Sequence, residues 1–139
     1  MASQTSSFSL DSVKRLSGAT KLNAAGLVLT AAGMLLQIAA GSTLYPSLAG
    51  PIALLATAAI VAFRSGRWTP YVGLFIPLVL GLGAIIAAVM SGAFIDQLTD
   101  TGRIGVLAGS LMHVVGLVAA VAGGVGMVVA SRSLRDRER

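Results

Sequence analysis

The chain has 139 residues and a formal net charge of +5; it is 55% hydrophobic and 11% charged, with a mean hydropathy of +0.88. A soluble domain carries roughly a quarter charged residues, so composition argues against an ordinary water-soluble enzyme, and the length suits a single domain. There is no cysteine, which excludes disulfides, thiolate metal centres, iron–sulfur clusters and thiol redox chemistry.

The predicted class is all-α: an integral membrane protein with four transmembrane helices in a compact antiparallel bundle. Residues 1–21 form a cytoplasmic N-terminal segment. Met1–Ser7 is rich in Ser and Thr and reads as disordered. Phe8, Leu10, Val13 and Leu16 can line one face of a short surface helix, with Lys14 and Arg15 towards lipid headgroups. The transmembrane domain covers 22–130, with spans at about 22–41, 47–63, 70–90 and 104–130. No Asp, Glu, Lys or Arg falls within any of them. The second span is short and should stand upright or thin the bilayer, whereas the fourth is long and must tilt or project. A charged cytoplasmic tail, 131–139, follows as a frayed extension of the fourth helix. The first span resembles a signal peptide in its small residues Ala39, Gly41 and Ser42, but its polar leader and apolar stretch are too long, so an uncleaved anchor is expected.

Punctuation between the spans is ordinary turn and cap chemistry. Tyr45-Pro46 centres a tight outer turn, Thr69-Pro70 reads as an N-cap and first helical residue, and Asp100 or Thr101 can cap the fourth span. Gly66 and Gly92 stand at left-handed stop positions. Trp68 and Tyr71 belong at one membrane interface and Tyr45 at the other. Charge sets the orientation. Lys14, Arg15, Lys21, Arg64, Arg67, Arg132, Arg135, Arg137 and Arg139 fall on one side of four spans, against Arg103 alone on the other. The positive-inside rule makes that side cytoplasmic, with both termini there, in a cell (inner or plasma) membrane. The sequence pI of about 10.8 does not require nucleic acid, because the basic residues flank spans and face anionic headgroups. The Ala/Gly/Val/Leu/Arg bias suggests a bacterial genome of high GC content.

Helices in lipid associate through close packing of small side chains. Gly105, Gly109, His113, Gly116, Ala120 and Gly124 recur at spacings of three and four and form the expected packing face of the fourth span. Gly26, Gly33 and Ala40 repeat at seven in the first. Gly73, Pro77, Gly81, Ala84 and Ala88 share a face of the third, where Pro77 leaves the Gly73 carbonyl without its helical donor and should bend the helix.

His113 is the only histidine and the only ionisable side chain inside a span. Such a residue can bind metal or haem, or relay protons. The structural reading is a neutral imidazole hydrogen-bonded across a helix interface, with Gln37 the first candidate partner and Thr30, Ser110 or a backbone carbonyl as others. Thr30 and Thr57 read as packing residues. Asp96 and Asp100 in the outer loop are too few for a calcium site. Phe94, Ile95 and Leu98 of that loop can dip into the outer headgroup layer. Proton-coupled exporters need an intramembrane carboxylate, quinone-linked disulfide enzymes need cysteines, four-helix cytochromes need more histidines, and intramembrane proteases need a catalytic set that these residues do not assemble. The expectation is therefore a small polytopic membrane protein without catalytic, cofactor or metal site. It would act as an accessory, scaffolding or self-assembling bundle. Its partners would be the bilayer and either itself or a larger membrane complex. The alternative is a channel or transporter subunit with a path lined by Gln37, Thr30 and His113.

Overall fold

The structure, a computed structural model, describes the backbone at residues 3–41, 48–64, 66, 68–90, 92 and 104–136, and side chains over the same ranges except 3–16, 85 and 88. It is all-helical among these residues, with four helices: α1 (Ser3–Ala39), α2 (Ala49–Phe63), α3 (Thr69–Met90) and α4 (Ile104–Arg135). Two of them contain stretches long and apolar enough to cross a membrane, Ser17–Ala39 and Ile104–Arg135. At 1.5 Å per residue, the 32 residues of α4 extend about 48 Å and the 15 of α2 only about 22 Å.

The helices pack in chain order around a ring: α1 on α2, α2 on α3, α3 on α4, and α4 back on α1, the last contact being by far the most extensive. Adjacent helices run antiparallel. Gly50 at the start of α2 meets Met34 late in α1, Gly73 early in α3 meets Met127 late in α4, and Gly105 of α4 meets Ala40 just past α1. Leu27, Ala31, Met34, Leu54, Ala58, Val61, Ala120 and Met127 form the buried centre. Larger aliphatic and aromatic side chains point outward on every helix, among them Val28, Ile52, Phe63, Phe75, Leu82, Leu111, Val118 and Val129. Glycine lines the closest helix contacts, and bulky apolar side chains cover the outside as well as the centre, unlike the usual soluble pattern, in which most bulky apolar side chains are buried.

Several boundaries differ from the sequence expectation. α1 runs without a break from Ser3, rather than as a loose Met1–Ser7 followed by a separate surface helix; no proline interrupts residues 3–21, so nothing local ends the helix there. At the other end the expectation holds: the tail extends the fourth helix, with α4 continuing beyond Ala130 to Arg135. Its last turn carries Arg132 and Arg135, whose charge suits a helix C-terminus, and Arg135 Nη2 donates to the Tyr71 hydroxyl at 3.2 Å, tying that turn to the first turn of α3. The left-handed stops are Gly41 (φ 80°), which closes α1, and Gly92 (φ 67°), which follows α3. Gly66 is not left-handed; α2 ends instead on Arg64 in an extended conformation, φ −113° and ψ 108°. Thr69 does not cap α3 in the expected way. Its hydroxyl accepts from the Gly66 N–H at 3.1 Å and donates to the Arg64 carbonyl at 2.9 Å, stapling the α2–α3 turn. The Tyr45-Pro46 turn, the Asp100 or Thr101 cap, and Phe94, Ile95, Asp96, Leu98 and Arg103 lie outside the described residues.

Candidate functional site

Most of the buried polar side chains, Asn23, Thr30, Gln37 and His113, lie on α1 and α4, the two helices with the most extensive contact, and Thr57 lies on α2. The seam between α1 and α4 is built from glycine. A Cβ placed on Gly33 would lie 2.6 Å from the Gly109 carbonyl oxygen and 2.6 Å from the His113 nitrogen. One on Gly109 would lie 2.7 Å from the Gly33 oxygen, and one on Gly116 2.5 Å from the Thr30 nitrogen and 2.8 Å from the Gly26 oxygen. A Cβ on Gly26 would run into the Ala120 nitrogen, and one on Gly123 into the Asn23 nitrogen. The two backbones therefore touch along most of the apolar part of α1, an approach that only glycine permits. The tracks Gly26–Gly33–Ala40 and Gly109–Gly116–Gly123 both repeat at seven residues, the spacing of a left-handed antiparallel pairing.

Of the residues expected on the α4 packing face, Gly105 sits against Ala40, Gly109 against Gly33 and Gln37, His113 across from Gly33, Gly116 against Gly26 and Thr30, and Ala120 across from Gly26. Gly124 faces elsewhere: a Cβ there would lie 2.9 Å from the Leu74 Cα of α3. Gly123 takes its place opposite α1. The physical reason is angular. Seven residues from Gly116 return within about 20° of the same helix face, whereas eight overshoot by about 80°, towards α3. On α3, Gly73 meets Val61 and Met127, Gly81 meets Leu117, and Pro77 is buried with them.

Asn23 is the residue that sequence reading passed over. It is fully buried (0% exposed). Its side-chain amide donates to the Gly73 carbonyl of α3 at 2.8 Å and to the Ala120 carbonyl of α4 at 2.5 Å, so one side chain of α1 joins three helices. The Gly73 carbonyl is the one that Pro77, lacking an N–H, cannot engage. The proline thus creates an orphan acceptor and Asn23 supplies its donor; an unfilled carbonyl in that apolar setting would cost free energy. The signal was present in the sequence, in an amide at the start of the first apolar stretch and a proline whose orphan carbonyl follows from its geometry. Only the tertiary structure pairs them. The Asn23 Oδ1 itself is buried and accepts no hydrogen bond from the described residues.

Thr30, Gln37, Thr57 and His113 are also buried, His113 at 8% exposure. Gln37 lies against Gly109 and His113 one turn further along the same seam, against Gly33. Thr30 and Thr57 return their hydroxyls to their own helices, donating to the Gly26 carbonyl at 2.7 Å and the Ala53 carbonyl at 2.7 Å. Ser110 does the same with the Val106 carbonyl at 2.8 Å. Such back-bonding uses the one proton each hydroxyl can donate. Among the described residues, no three His, Asp or Glu side chains come together in a way that could hold a metal ion. Asp96 and Asp100 fall outside those residues. Comparison with protein-family models, with curated proteins and with solved structures yields no match.

Proposed function

We propose that this is a four-span integral membrane protein of the cell membrane, with both termini cytoplasmic. It performs no catalysis and acts as a packing component: an accessory or scaffolding subunit, or a bundle that assembles with copies of itself. The observation that carries this reading is the division of labour on the helix surfaces. The polar groups Asn23, Thr30, Gln37 and His113 are turned into the helix contacts, while bulky apolar side chains cover the outside of all four helices. Water gives such an exterior no favourable environment, and lipid does.

The same geometry narrows how partners would bind. The glycine tracks of α1 and α4 are consumed by one another inside the chain, so an assembly would use the outer faces and not those tracks. It also speaks against a path lined by Gln37, Thr30 and His113, because those side chains are buried.

Orientation is tested with single cysteines in this cysteine-free chain. An impermeant thiol reagent added to intact cells should label Thr99→Cys and spare Ser7→Cys until the cells are opened. The reverse pattern would overturn the topology, and recovery of the chain in an alkaline-carbonate supernatant would overturn membrane integration. Ion or solute flux through vesicles containing the purified chain, abolished by Gln37→Leu, would replace the packing role by the channel alternative.

A further inference from the structure

A cleft of about 500 Å³ opens at the end of the bundle where α2 turns into α3. Its floor and walls are apolar: Ala24 of α1, Val61 and Ala62 of α2, Pro70 of α3 and Met127 of α4. Lys21, exposed on α1, and Arg64, exposed at the end of α2, stand among its lining residues. Ser17, Thr20 and Thr69 add hydroxyl groups. No carboxylate is among the described lining residues, so two cations and an apolar hollow share one cleft.

We propose that this cleft is a binding site for an anionic phospholipid. The phosphate group seats between Lys21 and Arg64, and an acyl chain runs down over Ala24, Val61, Ala62 and Pro70. The proposal rests on the membrane reading above, which puts this end at the cytoplasmic headgroup layer. Basic pockets between spans on that side are suited to phosphate headgroups, each cation near the surface adding about 1 kcal/mol of attraction. A free phosphate ion would use only the two cations and would gain nothing from the apolar floor. A lipid uses both, because its own chemistry changes from charged to apolar in the same order as the cleft. The arginine offers a planar fork for phosphate oxygens and the lysine a point charge.

Trp68, the only tryptophan, lies between Gly66 and Thr69 of the lining and is largely exposed, which makes it a built-in reporter. The full chain is reconstituted into phosphatidylcholine vesicles containing a minor fraction of either brominated phosphatidylglycerol or brominated phosphatidylcholine, and Trp68 quenching is compared. Brominated phosphatidylglycerol should quench in excess of its mole fraction. The Lys21→Gln/Arg64→Gln variant should lower that preference by about tenfold or more, as expected for two interfacial charges. Lys21→Arg/Arg64→Lys should retain it, as should Arg132→Gln/Arg137→Gln, which removes the same charge from positions outside the lining. Equal quenching by the two lipids would overturn the proposal, as would equal losses in the cleft and control variants. Inorganic phosphate that abolished the excess would reassign the site to the free ion. Normal quenching by brominated phosphatidylcholine without any excess refutes the site alone; no quenching by either lipid refutes the membrane reading on which it rests.

Discussion

Replacing glycine by alanine should have opposite effects at two sets of positions that are alike in sequence terms. In a helix interior, alanine is favoured over glycine by about 1 kcal/mol. At Gly83 of α3 nothing lies within 4 Å of the new methyl group, so Gly83→Ala should stabilise by up to about 1 kcal/mol. At Gly33 the methyl would lie 2.6 Å from two backbone atoms of α4, and at Gly109 2.7 Å from the Gly33 oxygen and 3.1 Å from the Gln37 nitrogen. Those are main-chain atoms of a neighbouring helix and cannot swing aside as a side-chain terminus does, so α1 and α4 must separate. A gap of 0.5–1 Å forfeits a quarter to a half of each van der Waals contact along the seam, and overpacking of this kind costs about 1–3 kcal/mol. After the helix gain is subtracted, Gly33→Ala or Gly109→Ala should destabilise by up to about 2 kcal/mol, and the pair together by less than the sum, since both methyls are relieved by the same separation. The assay is unfolding of the purified chain in mixed micelles by titration with a denaturing detergent. A shift of the same sign and size for Gly83→Ala and Gly33→Ala would refute the assignment of the α1–α4 seam.

Asn23→Leu should destabilise by about 1–2 kcal/mol, because it removes two donors from buried carbonyls and leaves that of Gly73 empty; in a Pro77→Ala background, where a backbone N–H can refill the Gly73 carbonyl, the cost should fall by about half in a double-mutant cycle, and equal costs in both backgrounds would separate the two residues. His113→Gln should keep the fold, since an amide can still hydrogen-bond, whereas His113→Phe, which cannot, should weaken it by about 1–3 kcal/mol; an intact fold with both would show that no hydrogen bond of the buried His113 holds the bundle. Val118→Leu should be neutral within about 0.5 kcal/mol because Val118 is 64% exposed on the outer face of α4, while Gly109→Leu should prevent a monodisperse species in gel filtration; normal elution of the glycine variant would contradict the packing face.

Element type and the small-residue faces were legible from the residues alone. Apolar runs free of charge fix helices because a backbone in an apolar setting must satisfy its own hydrogen bonds, and the seven-residue repeat Gly26–Gly33–Ala40 marks a face that some other helix must cover. The orphan carbonyl at Gly73 follows from Pro77 by covalent geometry. What the local sequence could not supply was the identity of the partners. Gly123 and Gly124 are adjacent glycines with equal intrinsic preferences; only the position of α4 between α1 and α3 sends the first to Asn23 and the second to Leu74. Asn23, an undistinguished amide when read along the chain, becomes the joint of three helices because Gly73, 50 residues away, and Ala120, 97 residues away, arrive at the same place. Hydrogen-bond demand is a local property that a sequence displays. Which distant group meets it is decided by how the helices pack.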